Sequence, residues 1–256
     1  MGLEKTQAVV IGRRGLGESD RIVTFYTRRF GKVRGVARAA RRPRSRFGSA
    51  LELFTLGELI FFDTGRSDLL RVDHFDIVHP FSRIREDLER FGQASWIVEC
   101  VGRLTAEMDR HPALYGLLLR SLRAVESTAR PARAAICFGV RCVDALGHRL
   151  RLDACVGCGR AYPFARPHLD LDGGGLVCGG CEPEAAAGFP VSPEAVAGLE
   201  RLRALPWEEA VATPLPRVEP ELARVLDAQV SRLIGQPTRT PRFLREIRRL
   251  YSGGRA

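Results

Sequence analysis

Four cysteines in the second half of the sequence have the spacing of a metal site. They form two pairs, "CVGC" at Cys155 and Cys158 and "CGGC" at Cys178 and Cys181, separated by nineteen residues. Two thiolates three positions apart on a tight turn can ligate one ion, and a repeated C-x2-C pair is typical of tetrahedral zinc. Because four thiolates complete the coordination shell, the pattern predicts one structural Zn²⁺ and no catalytic metal.

The metal lobe is expected at about residues 153–184, where the sequence offers little apolar core. The stretch "PHLDLDGGGLVC" between the cysteine pairs predicts a hairpin that turns at residues 172–175. Metal ligation would then supply much of the folding free energy of the lobe. Two alternatives are weaker: His168 as a ligand, and a redox pair, which would need a helix N-terminus and a lowered thiol pKa.

A run of positive charge is the second chemical feature. From Arg28 to Arg46 the sequence has nine basic residues and no acidic one, whereas the remaining 31 Lys and Arg are balanced by 30 Asp and Glu. Like charges in such a run repel each other unless a polyanion neutralises them. We therefore expect a nucleic-acid backbone, with counterion release supplying most of the affinity. An anionic membrane surface and a solvated charged face are the alternatives.

The basic residues fall on a predicted strand and the loop after it. In an extended "KVRGVAR", Lys32, Arg34 and Arg38 project to one side of the strand while Val33 and Ala37 project to the other. Arginine contacts with phosphate position a strand rather than read its bases, so weak sequence preference is expected. The predicted DNA-binding residues are Arg14, Lys32, Arg34, Arg38, Arg41, Arg42, Arg44 and Arg46.

Two weaker sets accompany this prediction. Tyr26 and Phe47 could stack on bases, although aromatic residues of a small β domain more often belong to its core. A second basic stretch near the C-terminus is another candidate, comprising Arg239, Arg242, Arg245, Arg248 and Arg249.

The predicted secondary structure that carries these residues changes from strands to helices near residue 80. Residues 1–80 contain five strand-like runs separated by turn signals, which is the strand number of the OB-fold barrel. From Phe81 the apolar residues recur every three or four positions, which predicts helices. Further helices are expected from Pro112, after Pro131, and after residues 192, 220 and 240. The predicted fold class is α+β: an N-terminal OB-fold β-barrel over 1–80 and an α-helical domain over 81–256 that carries the four-cysteine zinc lobe.

Composition excludes several classes. A chain with 45% hydrophobic and 27% charged residues is typical of a globular protein. No apolar run reaches the roughly 18 residues of a membrane span and no signal segment is evident, so we expect a cytoplasmic protein without a membrane partner. Seven cysteines, an odd number, argue against a disulfide framework. No acid/base pair, nucleophile elbow or phosphate loop is present in the sequence, so we expect no enzyme activity.

The block "GESDRIVTFYTRRFGKVRGVARAARRPRSRFGSALELFTLGEL" resembles the N-terminal domain of the RecO family of bacterial DNA repair proteins. The matching motifs are the loop with Gly17, Glu18 and Asp20, the Gly31–Lys32 pair, and "RRPRSR". The order of barrel, helical region and late cysteine pairs also fits, so the resemblance covers essentially the whole chain. Where the family often has glycine, this chain has Ala39, and family members differ in whether they keep the four cysteines.

This resemblance implies a non-enzymatic recombination mediator. Such a protein binds single- and double-stranded DNA and anneals complementary strands that are coated with single-strand-binding protein. With RecR, and in some bacteria RecF, it helps load RecA onto gapped DNA, so it would join the nucleoid when bound. The helical domain would also receive the acidic C-terminal tail of single-strand-binding protein. The alternative function is an RNA-binding OB-fold and zinc-ribbon protein, and competition between matched DNA and RNA oligonucleotides would separate the two.

Overall fold

The computed structural model describes residues 2–63, 65, 69–181, 188–215 and 217–252. They form two compact units. The first contains the described residues up to Pro131 together with those from Thr240 onward, and the second is Ala132–Arg239. The predicted domain boundary after residue 80 falls inside the first unit. It marks the change from strands to helices and stays a prediction about how the sequence divides.

A closed five-stranded barrel opens the first unit. Its strands are β1 (Gly2–Leu16), β2 (Asp20–Thr27), β3 (Gly31–Ala37), β4 (Leu56–Asp63) and β5 (Leu70–His79), arranged in the order β1-β2-β3-β5-β4. All neighbours are antiparallel except β3 and β5. β1 is long enough to pair with β4 through its first half and with β2 through its second. The predicted α+β fold with an N-terminal OB-type barrel is therefore confirmed.

Alternating apolar residues of the strands fill the inside of the barrel. Phe25 and Phe75 meet there with ring centroids 5.1 Å apart. Phe47, Ala50 and Leu51, which follow the basic residues, enter the same core and are at most 5% exposed. Burying a side chain the size of Phe or Leu stabilises a fold by about 1.5–3 kcal/mol, so these residues anchor the end of the long β3–β4 connection.

Three helices follow the barrel within the first unit: α1 (Ser82–Glu86), α2 (Leu88–Leu104) and α3 (Pro112–Ser127). The sequence predicted one helix from Phe81 through Val101, and this is wrong at Asp87. Asp87 is extended (φ −124°), and its carboxylate accepts a hydrogen bond of 2.8 Å from the backbone N–H of Arg90. The apolar periodicity continues through this break, which is why periodicity alone missed an N-cap.

The second unit consists of helices around a small sheet. Its elements are α4 (Pro131–Ala145), β6 (His168–Asp170), β7 (Gly175–Val177), β8 (Gly188–Pro190), α5 (Pro193–Ala204), α6 (Trp207–Ala212) and α7 (Glu219–Ile234). The predicted hairpin is present as β6 and β7, joined by residues 171–174. Ser192 caps α5 as predicted, and Gly235 ends α7 at φ 75°. β8 and α6 are too short for a periodicity to reveal.

The last helix, α8 (Arg239–Ser252), returns the chain to the first unit. The N–H and hydroxyl of Thr240 donate to one carboxylate oxygen of Glu99 at 2.9 and 2.7 Å. Leu244 lies against α2 at Gly92, where an added Cβ would be 2.5 Å from the leucine methyl. A side chain at position 92 would therefore force Leu244 to shift away from α2. Within the described residues, every helix falls short of the length and apolarity needed to cross a bilayer.

Ala39 is expected to be a strained position. Its φ is +56°, in the left-handed region where the Cβ of an L-residue crowds the backbone. Ala39→Gly should therefore raise the free energy of unfolding by about 1 kcal/mol, measured by equilibrium urea denaturation. Ala37→Gly, at a fully buried position in β3, is the control and should lower the free energy of unfolding. A lower stability for Ala39→Gly would contradict the strain.

Candidate nucleic-acid interface and metal centre

Residues 38–49, defined here as the basic loop, are anchored to the β1–β2 turn. Asp20 is the main anchor, since its Oδ1 accepts hydrogen bonds from the N–H of Ala39 at 2.8 Å and the hydroxyl of Ser19 at 3.0 Å. Arg41 adds two more bonds, from its N–H to the carbonyl of Ser19 at 2.9 Å and from its guanidinium to the carbonyl of Gly17 at 2.8 Å. The loop therefore has a defined shape despite its charge.

The charge on Asp20 is stabilised by the same contacts. The Ala39 N–H and the Ser19 hydroxyl hold the pKa of the Asp20 carboxyl below its ordinary value, and the charges of Arg38 and Arg42 lower it further. Asp20 is thus ionised at neutral pH while its hydrogen bonds are used by the loop. It softens the repulsion between Arg38 and Arg42 without forming an ion pair with either.

Four arginines of the basic loop region are exposed without a carboxylate partner. Within the described part of the chain, no acidic group lies within 4.0 Å of the guanidinium of Arg14, Arg38, Arg42 or Arg44. Arg13 and Arg21 surround the nearest acidic residue after the loop, Glu52, so Glu52 is already neutralised. These arginines are therefore free to meet an external anion.

The two other arginines of the loop, Arg41 and Arg46, have one distant carboxylate contact between them among the described residues. The Arg41 guanidinium donates to the carbonyl of Gly17. Its Nη1 also lies 3.3 Å from the position that a Cβ on Gly15 would take, and Gly15 directly follows Arg14 in sequence. Arg46 lies 4.0 Å from Asp73 and over the ring of Phe47. β1 ends, β2 begins and β3 ends at this side of the barrel. The structure thus brings together six of the predicted residues: Arg14, Arg38, Arg41, Arg42, Arg44 and Arg46.

Lys32 and Arg34 are placed differently from the rest of the predicted set. They do project from β3 opposite Val33 and Ala37, as predicted. However, the Lys32 ammonium donates to the carbonyls of Gly102 and Thr105 at 2.7 and 2.5 Å. These carbonyls belong to the C-terminal end of α2, where backbone acceptors lack partners within the helix. Lys32 is therefore a helix cap.

Arg34 is engaged by the α2–α3 connection. Its Nε lies 2.5 Å from Oε1 of Glu107, although the N–H does not point at that oxygen, so the contact is an ion pair. The N–H of Met108 donates to the carbonyl of Lys32 at 2.9 Å, which covers the edge of β3. Burial lowers the pKa of Lys32, while nearby Glu107 opposes this shift. Charge alone could not distinguish these two cations from those of the loop.

The aromatic residues considered for stacking are buried. Tyr26 is fully buried on the outer face of β2, with its ring centroid 6.5 Å from that of Tyr115 on α3. Phe47 is 4% exposed inside the barrel. Of the C-terminal basic stretch, Arg242 pairs with Glu246 at 3.0 Å. The side chains of Arg245, Arg248 and Arg249 lie outside the described part of the structure.

The four cysteines of the second unit form one cluster. The sulfur atoms of Cys155, Cys158, Cys178 and Cys181 all lie within 4.8 Å of one another, and those of Cys158 and Cys178 are 3.8 Å apart. A tetrahedron of thiolates about 2.3 Å from a central ion has edges of about 3.8 Å. The cluster therefore has the size of a four-thiolate metal site. His168, on β6, is not among the grouped ligand atoms.

Backbone N–H groups prepare this cluster for a cation. Burial alone would raise the pKa of the Cys155 thiol, but N–H groups of Cys158, Cys178 and Gly157 hold it at about 6. Hydrogen bonding with Cys158 and Cys178 instead raises the pKa of Cys181 to about 12. Without a cation, four neighbouring thiols cannot all ionise. A bound metal would compensate the charge of four thiolates.

The first cysteine turn depends on glycine. Gly159 has φ 75°, and a Cβ on Gly157 would lie 3.1 Å from the Cβ of Cys181. Gly179 and Gly180 in the second pair have no neighbour within 4 Å of an added Cβ and no positive φ. Of the two cysteine turns, only the first therefore requires glycine.

Two models of known protein families match the chain, and their limits correspond to the change from barrel to helices. The family model described as Recombination protein O N terminal matches residues 1–81, and the one described as Recombination protein O C terminal matches residues 85–242. The chain belongs to the RecO family. Membership supports a role in DNA repair and recombination. The first match covers the barrel, and the second covers the helices and the cysteine cluster.

Curated relatives with the name DNA repair protein RecO are similar over nearly the full length. One from Anaeromyxobacter dehalogenans is 35% identical over 97% of this chain and 98% of its own length. One from Geobacter sulfurreducens is 34% identical over 95% of this chain and 98% of its own length. One from Frankia casuarinae is 37% identical over 83% of this chain and 86% of its own length.

Lys32 is expected to stabilise the fold. Lys32→Met keeps the length of the side chain but leaves the carbonyls of Gly102 and Thr105 without their charged donor. We expect the free energy of unfolding to fall by about 1–2 kcal/mol in urea denaturation. Arg38→Met is the matched control, because Arg38 is exposed and unpaired among the described residues, and it should change stability by less than about 0.5 kcal/mol. Equal effects of the two substitutions would contradict the capping role.

Proposed function

We propose that this protein is a non-enzymatic recombination mediator that binds single- and double-stranded DNA through its barrel. The observation that carries the proposal is the group of six arginines around the basic loop, which Asp20 holds in shape. Among the described residues, four of the six have no carboxylate within 4.0 Å, and Arg46 has only the distant contact with Asp73. Phosphate is the anion that matches this array, because its contacts with arginine need no base sequence. Membership of the RecO family supports DNA as the polyanion.

Annealing follows from the same electrostatics. Two complementary strands repel each other through their phosphates, and a cationic surface that binds one strand screens the approach of the other. Arg38, Arg42 and Arg44 are exposed and free to neutralise phosphates as the strands pair. No covalent step is involved, so the protein needs no catalytic residue.

The partners proposed for this chain are those that the family resemblance implies. Together with RecR, and RecF where it is present, the protein would help load RecA onto gapped DNA. The helical region would receive the acidic C-terminal tail of single-strand-binding protein, which brings the mediator to DNA that this protein covers. We also propose that Lys32 and Arg34 support the fold, while the six arginines around the basic loop contact DNA.

We propose that the cysteine cluster holds one structural Zn²⁺. Its four thiolates suit a soft tetrahedral ion and leave no open coordination position. The ion would fix the turns at the two cysteine pairs and hold β6 and β7 against the segment around Cys155. Its chemistry would be limited to ligation.

The basic loop should control both the affinity for DNA and its salt dependence. Replacing Arg41, Arg42 and Arg44 by Ala should weaken binding of single-stranded and double-stranded oligonucleotides in fluorescence anisotropy. If each arginine neutralises one phosphate, the slope of log affinity against log salt should become less steep by about 2 on single strands. The same variant should anneal complementary strands more slowly.

A control variant separates the position of the charges from their number. Arg120→Ala, Arg123→Ala and Arg130→Ala together remove the same charge from exposed positions outside the basic loop. This variant should leave the salt slope unchanged. Equal losses in both variants would point to non-specific attraction by net charge, and unchanged affinity in the loop variant would refute the proposed DNA surface. A clear preference for matched RNA would favour the alternative of an RNA-binding protein.

Metal content tests the zinc proposal. Purified protein should contain one equivalent of zinc per chain by elemental mass spectrometry, and Cys178→Ser should lose it and lower the stability of the second unit. Cys137→Ala removes a buried thiol outside the cluster and should leave the zinc content unchanged. Another metal in the native protein, or full zinc retention in Cys178→Ser, would contradict the proposal.

A further inference from the structure

The second unit contains a cavity of about 590 Å³ beside the metal lobe. It lies between residues 149–153, Tyr162 and helix α5, which contributes Val196 and Glu200. Pockets for small ligands typically have volumes of about 300–1,000 Å³, so this one is large enough for a nucleotide.

The segment before the first cysteine forms one wall of the cavity. Its residues alternate, with Arg149, Arg151 and Asp153 exposed and Leu150 and Leu152 buried. The backbone of Arg151 fixes this alternation, since its N–H donates to the carbonyl of residue 174 and its carbonyl accepts from the N–H of residue 176, both at 2.9 Å. The wall therefore offers two guanidinium groups above an apolar floor.

Tyr162 lines the cavity next to the end of this segment. Its N–H donates to the carbonyl of Asp153 at 2.8 Å, and its ring packs against the edge of Phe164 with centroids 5.3 Å apart. Phe164 in turn packs on the cysteine cluster. Burial, with a smaller contribution from Glu194, raises the pKa of the Tyr162 hydroxyl, which therefore remains a hydrogen-bond donor at neutral pH. The aromatic wall is thus held in place by the metal lobe itself.

The charged groups of the cavity come in donor and acceptor pairs. Arg149 lies 3.9 Å from Glu200, and Arg151 lies 3.4 Å from Asp153. All four side chains are about half exposed or more, so these two pairs are weak and the guanidinium groups can turn to a ligand. Glu200 also accepts from Arg203, which holds this carboxylate in place. Guanidinium donors beside carboxylate acceptors match the edge of a nucleobase, which presents carbonyl, ring-nitrogen and amine groups together.

The chain around Tyr162 adds cationic positions suited to a phosphate backbone. From residue 155 to 169 the sequence has no acidic residue, and Arg160 and Arg166 flank the aromatic pair. Both arginines are exposed, and neither forms an ion pair with a described carboxylate. Aromatic rings next to such a cationic track are how proteins bind single strands without sequence preference.

We propose that this cavity receives an unpaired base of single-stranded DNA, stacked on Tyr162, with Arg149 and Arg151 at its edge and Arg160 and Arg166 along the phosphates. The proposal rests on the proposed DNA-binding function and assigns the second unit its own contact with a single strand. A duplex cannot use this site, because its bases are paired and stacked. An aspartate-rich peptide fits less well, because its side chains offer no flat ring to stack on Tyr162.

Cross-linking and affinity together test the site in the full-length, metal-loaded protein. A single strand with 5-iodouracil should cross-link to Tyr162 under ultraviolet light, with the residue located by mass spectrometry. Tyr162→Leu should weaken binding of single-stranded oligo(dT) about tenfold, because it removes one stacked base. Tyr162→Phe keeps the ring face and should retain affinity. Neither substitution should change the affinity for duplex DNA.

The outcomes separate this inference from the proposed function. Weak binding of both single strands and duplex in the Arg41, Arg42 and Arg44 variant, with full single-strand affinity in Tyr162→Leu, would overturn only the cavity proposal. Unchanged binding in both variants would overturn the proposed function itself. If Tyr162→Leu loses zinc or melts early, Arg149→Gln with Arg151→Gln and the cross-link position decide. Capture of an aspartate-rich peptide that needs Tyr162, without a DNA cross-link, would assign the cavity to a protein tail instead.

Discussion

The arrangement of positive charge depends on the hydrogen bonds that Asp20 accepts. Arginines crowded into a short connection would push one another apart if only solvent surrounded them. One carboxylate, fixed by the N–H of Ala39 and the hydroxyl of Ser19, ties the start of the connection to the β1–β2 turn. Phe47 and Leu51 hold its other end inside the barrel. Because the backbone is fixed at both ends, the guanidinium groups between these anchors stay near one another.

On the outer face of β2 and β3, side chains of the barrel contact the helices of the first unit and the connection between them. Tyr26 packs against Tyr115, Lys32 caps α2, and Arg34 pairs with Glu107. The surface on which OB-folds commonly carry nucleic acid is therefore partly used to hold this chain's own helices. In our proposals, single-strand contacts are made by the basic loop at the end of the barrel and by the cavity beside the metal lobe.

Much of this architecture could be predicted from local patterns. Alternation of apolar residues, proline at helix starts and the doubled cysteine spacing identify the barrel, α3, α4, α5 and the four-thiolate cluster, because each pattern depends on neighbours in sequence. The role of Lys32 could not be predicted, since its acceptors lie some seventy positions away in sequence. The cavity beside Tyr162 depends likewise on α5 meeting a distant segment. The apolar periodicity also gives no sign that Asp87 would divide one stripe into two helices.

The return of α8 to the first unit has a consequence for synthesis on the ribosome. The surface of α2 around Gly92 and Glu99 is made early, but Thr240 and Leu244 emerge only after the whole second unit has been translated. During that interval the surface of α2 that later contacts Leu244 stays accessible to solvent or to chaperones. All residues of the second unit are therefore synthesised before the last contacts of the first unit can form.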